Sequence, residues 1–282
     1  MWIDTLSLRN FRGFRELDLD LRRQLTVLIG VNGSGKSTVV DALEVCSVAA
    51  VDRRFGRNYL SQRTLISEAD VGRDGNDAFC TLRFGEGEVS VAWKGEAGLF
   101  LPAAPDAGLA DSSVDVPLVM SFPVGRRVLF MPEPRRESGG SFATGRMVGT
   151  SRHPAFDDFQ GGFTPFEFCE IWFRHQEDLE NQRRVESKSF DAMDPALEFV
   201  RRSVQRMIPE LSSPRIDRSR PVGRGRSQLV FDKGEQTLSA EMLSDGEKSL
   251  IVLAMTIARR IALLDQGAGP PMPERRATIV ID

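Results

Sequence analysis

The chain has 282 residues, 41% hydrophobic and 27% charged, with a net charge of −3; it can bury one large core or two small ones, and it has no global attraction for nucleic acid or a membrane surface. No apolar run approaches the roughly 20 residues of a membrane helix, and Met1-Trp2-Ile3-Asp4 is not a basic start leading into an apolar stretch, so a cytoplasmic protein with no membrane association is expected. Cys46, Cys80 and Cys169 are widely spaced, fit neither a disulfide framework nor a C-x-x-C metal site, and read as reduced core thiols.

Leu6 and Leu8, then Leu17, Leu19 and Leu21, alternate with polar residues on either side of Arg12-Gly13, the pattern of an antiparallel pair with one buried face. Leu25-Thr26-Val27-Leu28-Ile29 predicts a short buried strand, and a helix follows, with Val39, Leu43, Cys46 and Ala50 on its inner face. Between them, Gly30-Val-Asn-Gly-Ser-Gly-Lys-Ser37 is the G-x-x-x-x-G-K-[ST] phosphate loop. Gly30, Gly33 and Gly35 let successive backbone N–H groups converge on a phosphate, aided by the positive end of the helix. Lys36 then reaches the β- and γ-phosphates, and the Ser37 hydroxyl can ligate Mg²⁺. The plainer alternative is a glycine-rich turn with no ligand.

Strands are predicted near Ala78 to Phe84 and Glu88 to Lys94, with Val89, Val91 and Trp93 on one face, and near Pro117 to Phe122. Ala97 to Asp115 carries no assignable pattern, and Pro123 to Ser151 reads as a long loop. Thr164-Pro165-Phe166-Glu167 has the residues of a helix start. That helix has an apolar face at Phe166, Cys169, Trp172 and Phe173 but is polar nearly all round from Arg174 to Lys188. Asp194-Pro195 opens another, with a stripe of Leu197, Val200, Val204, Met207 and Ile208. From Pro214 to Arg226, Arg215, Arg218, Arg220, Arg224 and Arg226 suggest a solvated loop or a contact with a nucleic-acid backbone. A hairpin follows, Gln228 to Phe231 with Gln236 to Leu238.

Leu243-Ser244-Asp245-Gly246-Glu247 precedes a helix with a predicted stripe of Leu250, Ala254, Ile257, Ile261 and Leu264. Ser244 and Glu247 form a capping box, which alone would explain the motif. Beside a phosphate loop, a Ser and a Gly at a helix N-terminus also offer donors to a second phosphate group. Ala277 to Ile281 reads as an apolar strand ending at Asp282, where phosphate-loop NTPases place a carboxylate that helps hold Mg²⁺.

In this order, phosphate loop, Leu-Ser-Asp-Gly-Glu and strand-Asp resemble ABC-class ATPases of the SMC and RecF type. The start, Leu8-Arg9-Asn10-Phe11-Arg12-Gly13-Phe14, is similar to that of DNA-associated AAA-family members rather than transporter ATPases. Trp172-Phe173 followed by Glu177-Asp178-Leu179-Glu180-Asn181 resembles ATPase subunits of Septu-type and retron-associated antiphage systems and of the overcoming-lysogenization-defect family.

The resemblance implies an α/β, P-loop NTPase fold: an ABC-type head with a mixed sheet, an antiparallel β subdomain and a helical lobe. It implies one discontinuous domain over 1–282, with 1–122 and 227–282 forming the nucleotide-binding core and signature helix, and 123–226 a loop and helical insertion. ATP and Mg²⁺ are the implied cofactors. Nucleotide-contacting residues are then Arg12, Gly30, Asn32, Gly33, Ser34, Gly35, Lys36, Ser37, Thr38, Ser244, Asp245, Gly246 and Glu247, with Lys36 and Asp282 catalytic and Ser37 and Asp282 on the metal. Two copies would sandwich ATP head to tail, Ser244 and Gly246 of one meeting the γ-phosphate held by Gly33, Lys36 and Ser37 of the other. Nucleic acid, a nuclease or a reverse transcriptase are the implied partners.

The family's catalytic Glu follows the strand Asp, so an ATPase whose sequence continues past Asp282 is expected. The rival reading is an ATP-gated dimer or scaffold that recruits a nuclease without turnover. His153 and His175 read as surface or structural, and neither Gln160 nor Gln176 clearly ends a strand as a Mg²⁺-sensing Gln would.

Overall fold

The computed structural model describes residues 2–55, 68–72, 77–85, 87–94, 99–102, 117–122, 165–222, 226–264 and 277–281. Backbone contacts divide the chain into one unit of Met1–Val124 with Arg276–Asp282 and another of Gly125–Arg275.

In the first unit the hairpin predicted from alternating leucines forms as β1 (Thr5–Phe11) and β2 (Phe14–Asp20), pairing Leu6 with Leu19 and Leu8 with Leu17. On the other side β1 pairs antiparallel with β3 (Asp77–Phe84), followed by β4 (Gly87–Lys94) and β5 (Leu99–Pro102), in the order β2-β1-β3-β4-β5. β5 lies in the stretch whose sequence gave no pattern; its pairing with β4 supplies what four residues could not specify alone. β6 (Leu118–Phe122) and β10 (Ala277–Ile281) form a separate parallel pair. Helix α1 (Lys36–Phe55) packs on β3, β4 and β6. Its Val39, Leu43, Cys46 and Ala50 are buried as the spacing predicts, and they join Leu6, Leu8, Phe11, Cys80 and Val91 in one apolar core.

One expectation fails. Residues 25–29 belong to no strand, and Leu25, Val27 and Ile29 are 71, 63 and 91% exposed; only Leu28 of the five touches the core. Being a strand is a pairing state, not a property of five apolar residues. Among the described residues β6 and β10 pair with each other, and no strand takes 25–29 as a neighbour.

The second unit is built from α2 (Pro165–Ser187), α3 (Pro195–Met207), α4 (Asp245–Leu264) and a three-stranded antiparallel sheet of β7 (Ser212–Val222), β8 (Arg226–Lys233) and β9 (Gln236–Ser239). Asp194 caps α3, its Oδ1 accepting the Leu197 N–H at 2.9 Å ahead of Pro195. Leu197, Val200, Val204 and Ile208 are buried as predicted, whereas Met207 points outward. The stripe predicted for α4 is rotated: Leu250 is exposed, and Ile251, Val252, Met255, Ala258, Ala262 and Leu263 are buried beside Ala254. Packing against both α2 and α3 broadens the buried arc of α4 beyond a single stripe.

The described part of the arginine-rich stretch is strand, residues 214–222 in β7 and Arg226 at the start of β8, while Arg224 lies outside the described residues. Arg215 forms a two-pronged pair with Asp232 at 2.7 and 2.9 Å, and Arg218 pairs with Glu177 and Asp178. Those pairings explain why so polar a run can enter a sheet. They also explain the polar half of α2. Glu180, with no exposed side-chain surface, accepts from Arg201 at 3.1 and 3.2 Å, from the Asp194 N–H at 2.8 Å and from Arg184 at 3.0 Å. Glu177 accepts from Arg201, Arg218 and the Ile216 N–H. Together the two carboxylates tie α2 to α3 and β7.

Residues 227–264, expected to belong with 1–122, group instead with the second unit. Leu229, Phe231, Leu243 and Ile251 share a core with Trp172, Phe173 and Leu197, and only β10 returns to the first unit.

Candidate functional site

In the first unit the phosphate-loop segment connects residues 25–29 to α1. Gly33 (φ 84°) and Gly35 (φ 93°) occupy the left-handed region that residues with a Cβ avoid. Ser34 N–H donates to the Val31 carbonyl at 3.1 Å, and Val39 N–H to the Gly35 carbonyl at 3.1 Å, which starts the helix. A Cβ at position 30 would lie 2.5 Å from Ser34 Oγ, so the loop closes tightly at both ends. Lys36 Nζ donates to the carbonyls of Gly30 at 2.8 Å and Val31 at 3.0 Å, folding the ammonium back over the loop. Gly30, Asn32, Gly33, Ser34 and Ser37 are exposed, while Gly35, Lys36 and Thr38 are half-buried. No acidic residue lies in the first turn of α1, so a helix N-terminus and an ammonium face solvent together, an arrangement that attracts anions.

Arg12 approaches α1 from the β1–β2 turn. Its guanidinium donates to Asp41, one turn beyond Ser37, and through Nε to Asp70 Oδ1 at 2.6 Å. Its N–H donates to the Asp70 carbonyl at 2.6 Å, which holds Arg12 at a φ of 49°. No motif marks Asp41 or Asp70; their role comes from the fold, which brings residues 12, 41 and 70 together.

In the second unit the predicted capping box forms. Ser244 N–H donates to Glu247 Oε2 at 2.8 Å, Ser244 Oγ–H to the same oxygen at 2.7 Å, and Glu247 N–H to Ser244 Oγ at 3.3 Å. Lys233, in the β8–β9 hairpin, donates to Glu247 Oε1 at 2.8 Å. Lys233, then Ser244, hold the Glu247 carboxyl down at about 2, so it is a carboxylate at any ordinary pH. Asp245 and Gly246 are exposed and Leu243 is buried. Lys233 was not singled out from the sequence; a hairpin lysine acquires this role only once the sheet packs beside the helix.

Asp282, His153 and Gln160 lie outside the described residues, though the strand leading to Asp282 forms as β10. His175 and Gln176 are on α2, and their Nε2 atoms are buried without a hydrogen-bond partner. Among the described residues no three His, Cys, Asp or Glu side chains gather as a metal cage, and no helix is long and apolar enough to cross a membrane.

Residues 5–100 match the model of an AAA domain, a span that holds β1, β2, the glycine loop and α1. DNA replication and repair protein RecF of Idiomarina loihiensis is 30% identical over 140 residues, covering 49% of this chain and 37% of the relative. The retron Ec83 probable ATPase of Escherichia coli is 22% identical over 341 aligned positions, 95% of this chain and 60% of the relative. The chain is similar to SMC/RecF-type proteins and resembles a retron ATPase. A chromosome partition protein Smc of Methanocaldococcus jannaschii adds 44% identity over 41 residues, 14% of this chain and 4% of that protein. This SMC/RecF-like chain thus spans between 4 and 60% of the lengths of these three relatives. A solved structure of the recombination mediator RecF with ATP covers 100% of the chain at TM-score 0.46 and 12% identity, too loose a match to add to the fold.

Proposed function

We propose that the chain binds ATP through Gly30, Asn32, Gly33, Ser34, Gly35, Lys36, Ser37 and Thr38, and that ATP-dependent pairing of two copies controls an activity on DNA or RNA, in antiphage defence or repair. The observation that carries the reading is the loop itself: two glycines in left-handed conformations, a lysine folded over them, and a 20-residue helix leading away. Arg12, in the β1–β2 turn, is tied to Asp41, one turn along that helix. Mg²⁺ would be held by Ser37 and Asp282, a hydroxyl and a carboxylate of the hard oxygen type that ion prefers, and would neutralise phosphate charge. Hydrolysis is attack of water on the γ-phosphate, with the Lys36 ammonium offsetting charge that builds on the transferring group.

In the paired state Ser244 and Gly246 of one copy meet the γ-phosphate held by the other, with Asp245 and Glu247 beside it. The likeness to RecF, Smc and a retron ATPase supports the nucleic-acid role, and a nuclease or reverse transcriptase is the partner of choice. Two of the arginines offered for a nucleic-acid contact, Arg215 and Arg218, are already bound to carboxylates, so that role rests on the family likeness.

Equilibrium binding of a fluorescent ATP analogue with Mg²⁺, paired with light scattering, tests this. Micromolar binding that Lys36→Ala abolishes, and a mass that doubles with ATP in the wild type but not in Ser244→Arg, are expected. Absence of binding by the folded wild type overturns the reading. Pairing without turnover favours the scaffold.

A further inference from the structure

Position 35 is closed for two separate reasons. Its φ of 93° disfavours any residue with a Cβ, and a Cβ built there would also lie 2.6 Å from Cζ and 2.7 Å from Cε2 of Phe14. The ring of Phe14 therefore lies directly against the loop backbone just before Lys36. Phe14 opens β2, pairs across the hairpin with Phe11, and packs on the apolar core of the first unit. Its neighbour in the turn, Arg12, is tied to α1 through Asp41. The β1–β2 turn thus touches the loop-and-helix junction at two points, one apolar and one ionic.

We infer that Phe14 is a positioning residue for the phosphate loop: its ring lies against the backbone at Gly35, and it holds that backbone in the shape that receives the phosphates. The need for such a support is physical. A loop with three glycines in six residues has many conformations open to it, and ordering it on ligand binding costs affinity unless something in the free protein already restricts it. Hydrogen bonds restrict the loop at Ser34, Lys36 and Val39. At Gly35, where no side chain can fill space, the Cζ–Cε2 edge of the Phe14 ring does so from outside. On the other side of the loop, Leu25, Val27 and Ile29 are turned to solvent. Sites held by a rigid neighbouring shell keep their geometry within a fraction of an ångström, and looseness of that order degrades binding.

This inference rests on the nucleotide reading, and the experiment separates the two. ATP and AMP affinities are measured with Mg²⁺ for the wild type, Phe14→Ala, Phe14→Leu and Leu17→Ala; the last shortens a half-buried side chain of the same strand that packs on the same core. Phe14→Ala is expected to weaken ATP binding about tenfold, equivalent to about 1.4 kcal/mol. AMP, which lacks the β- and γ-phosphates, should change less, so the ATP-to-AMP preference collapses. Phe14→Leu, which keeps bulk under Gly35, should recover most of the loss, and Leu17→Ala should lower the melting temperature while leaving the preference intact. A wild-type preference in folded Phe14→Ala, or an equal collapse in Leu17→Ala, overturns the inference. No ATP binding by the wild type overturns the nucleotide reading instead.

Discussion

The two units solve the problem of holding a shape in opposite ways. In the first, no charged side chain is buried among the described residues, Ser47 being the one buried polar group beside a core that runs from Ile3 and Leu6 through Val91, and the special geometry is backbone geometry on its rim, in Gly33, Gly35 and the turn at Arg12. In the second, charge goes inside: Glu177, Glu180, Asp194, Arg259 and Arg260 are buried, and the two glutamates bind α2 to α3 and β7. An apolar core is forgiving of changes at its rim, so loop substitutions should alter binding far more than stability. A buried ionic lattice is unforgiving, because removing one partner strands the others away from water.

Substitution at the lattice separates the units most sharply. Glu180→Ala removes the acceptor of the Asp194 N–H and one carboxylate partner each from Arg184 and Arg201, and urea unfolding should register a loss of about 3–5 kcal/mol. Lys36→Ala in the same assay should stay within about 0.5 kcal/mol of the wild type. A cost near zero for Glu180→Ala would erase the contrast.

At the rim, Arg12→Ala should cost about 1 kcal/mol through its half-exposed pairs with Asp41 and Asp70. Arg12→Gly should cost less, because glycine tolerates the φ of 49° that alanine does not. Equal losses in the two variants would mean that the ion pairs alone account for the effect.

A smaller effect is expected from Glu247, whose carboxyl is depressed from 4.5 to about 2 by Lys233 and Ser244. A group held below its unfolded value stabilises the fold above pH 4.5 and loses that contribution as pH falls toward 2. Thermal melts of wild type and Glu247→Gln should therefore differ at pH 7 and converge as the solution is acidified below pH 4.5. A gap that does not change with pH would assign the effect to packing.

The smallest response is expected from the thiols. Burial pushes Cys80 up to about 12 and Cys169 up to about 11, and Cys46 is buried too. Ellman's reagent should find almost no reactive thiol in the native protein and three after denaturation.

Local chemistry made much of this readable in the sequence. Alternating leucines gave the β1–β2 register, Asp194-Pro195 gave the start of α3, and Ser244 with Glu247 gave the capping box. Each is a short-range relation that survives whatever surrounds it. The failures are long-range. Leu25 to Ile29 has strand composition but finds no ladder, and β7 has loop composition but is held in a sheet by Asp232 and Glu177, 17 and 41 residues away from their arginines. For the candidate site, the glycines, Lys36 and Ser37 are visible as a motif. Asp41, Asp70, Lys233 and Phe14 are not, because their roles are contacts across the fold. The five-residue run before the loop shows the limit well: apolar content says what a segment would bury, and only its neighbours decide whether it does.

Gly35 bears on how this sequence can drift. Its constraints, a left-handed backbone and an aromatic ring underneath, are independent of each other. Trimming Phe14 would open room for a methyl group without easing the dihedral. A change at Phe14 alone therefore lifts one of the two constraints and leaves the other, so this glycine is doubly guarded against drift.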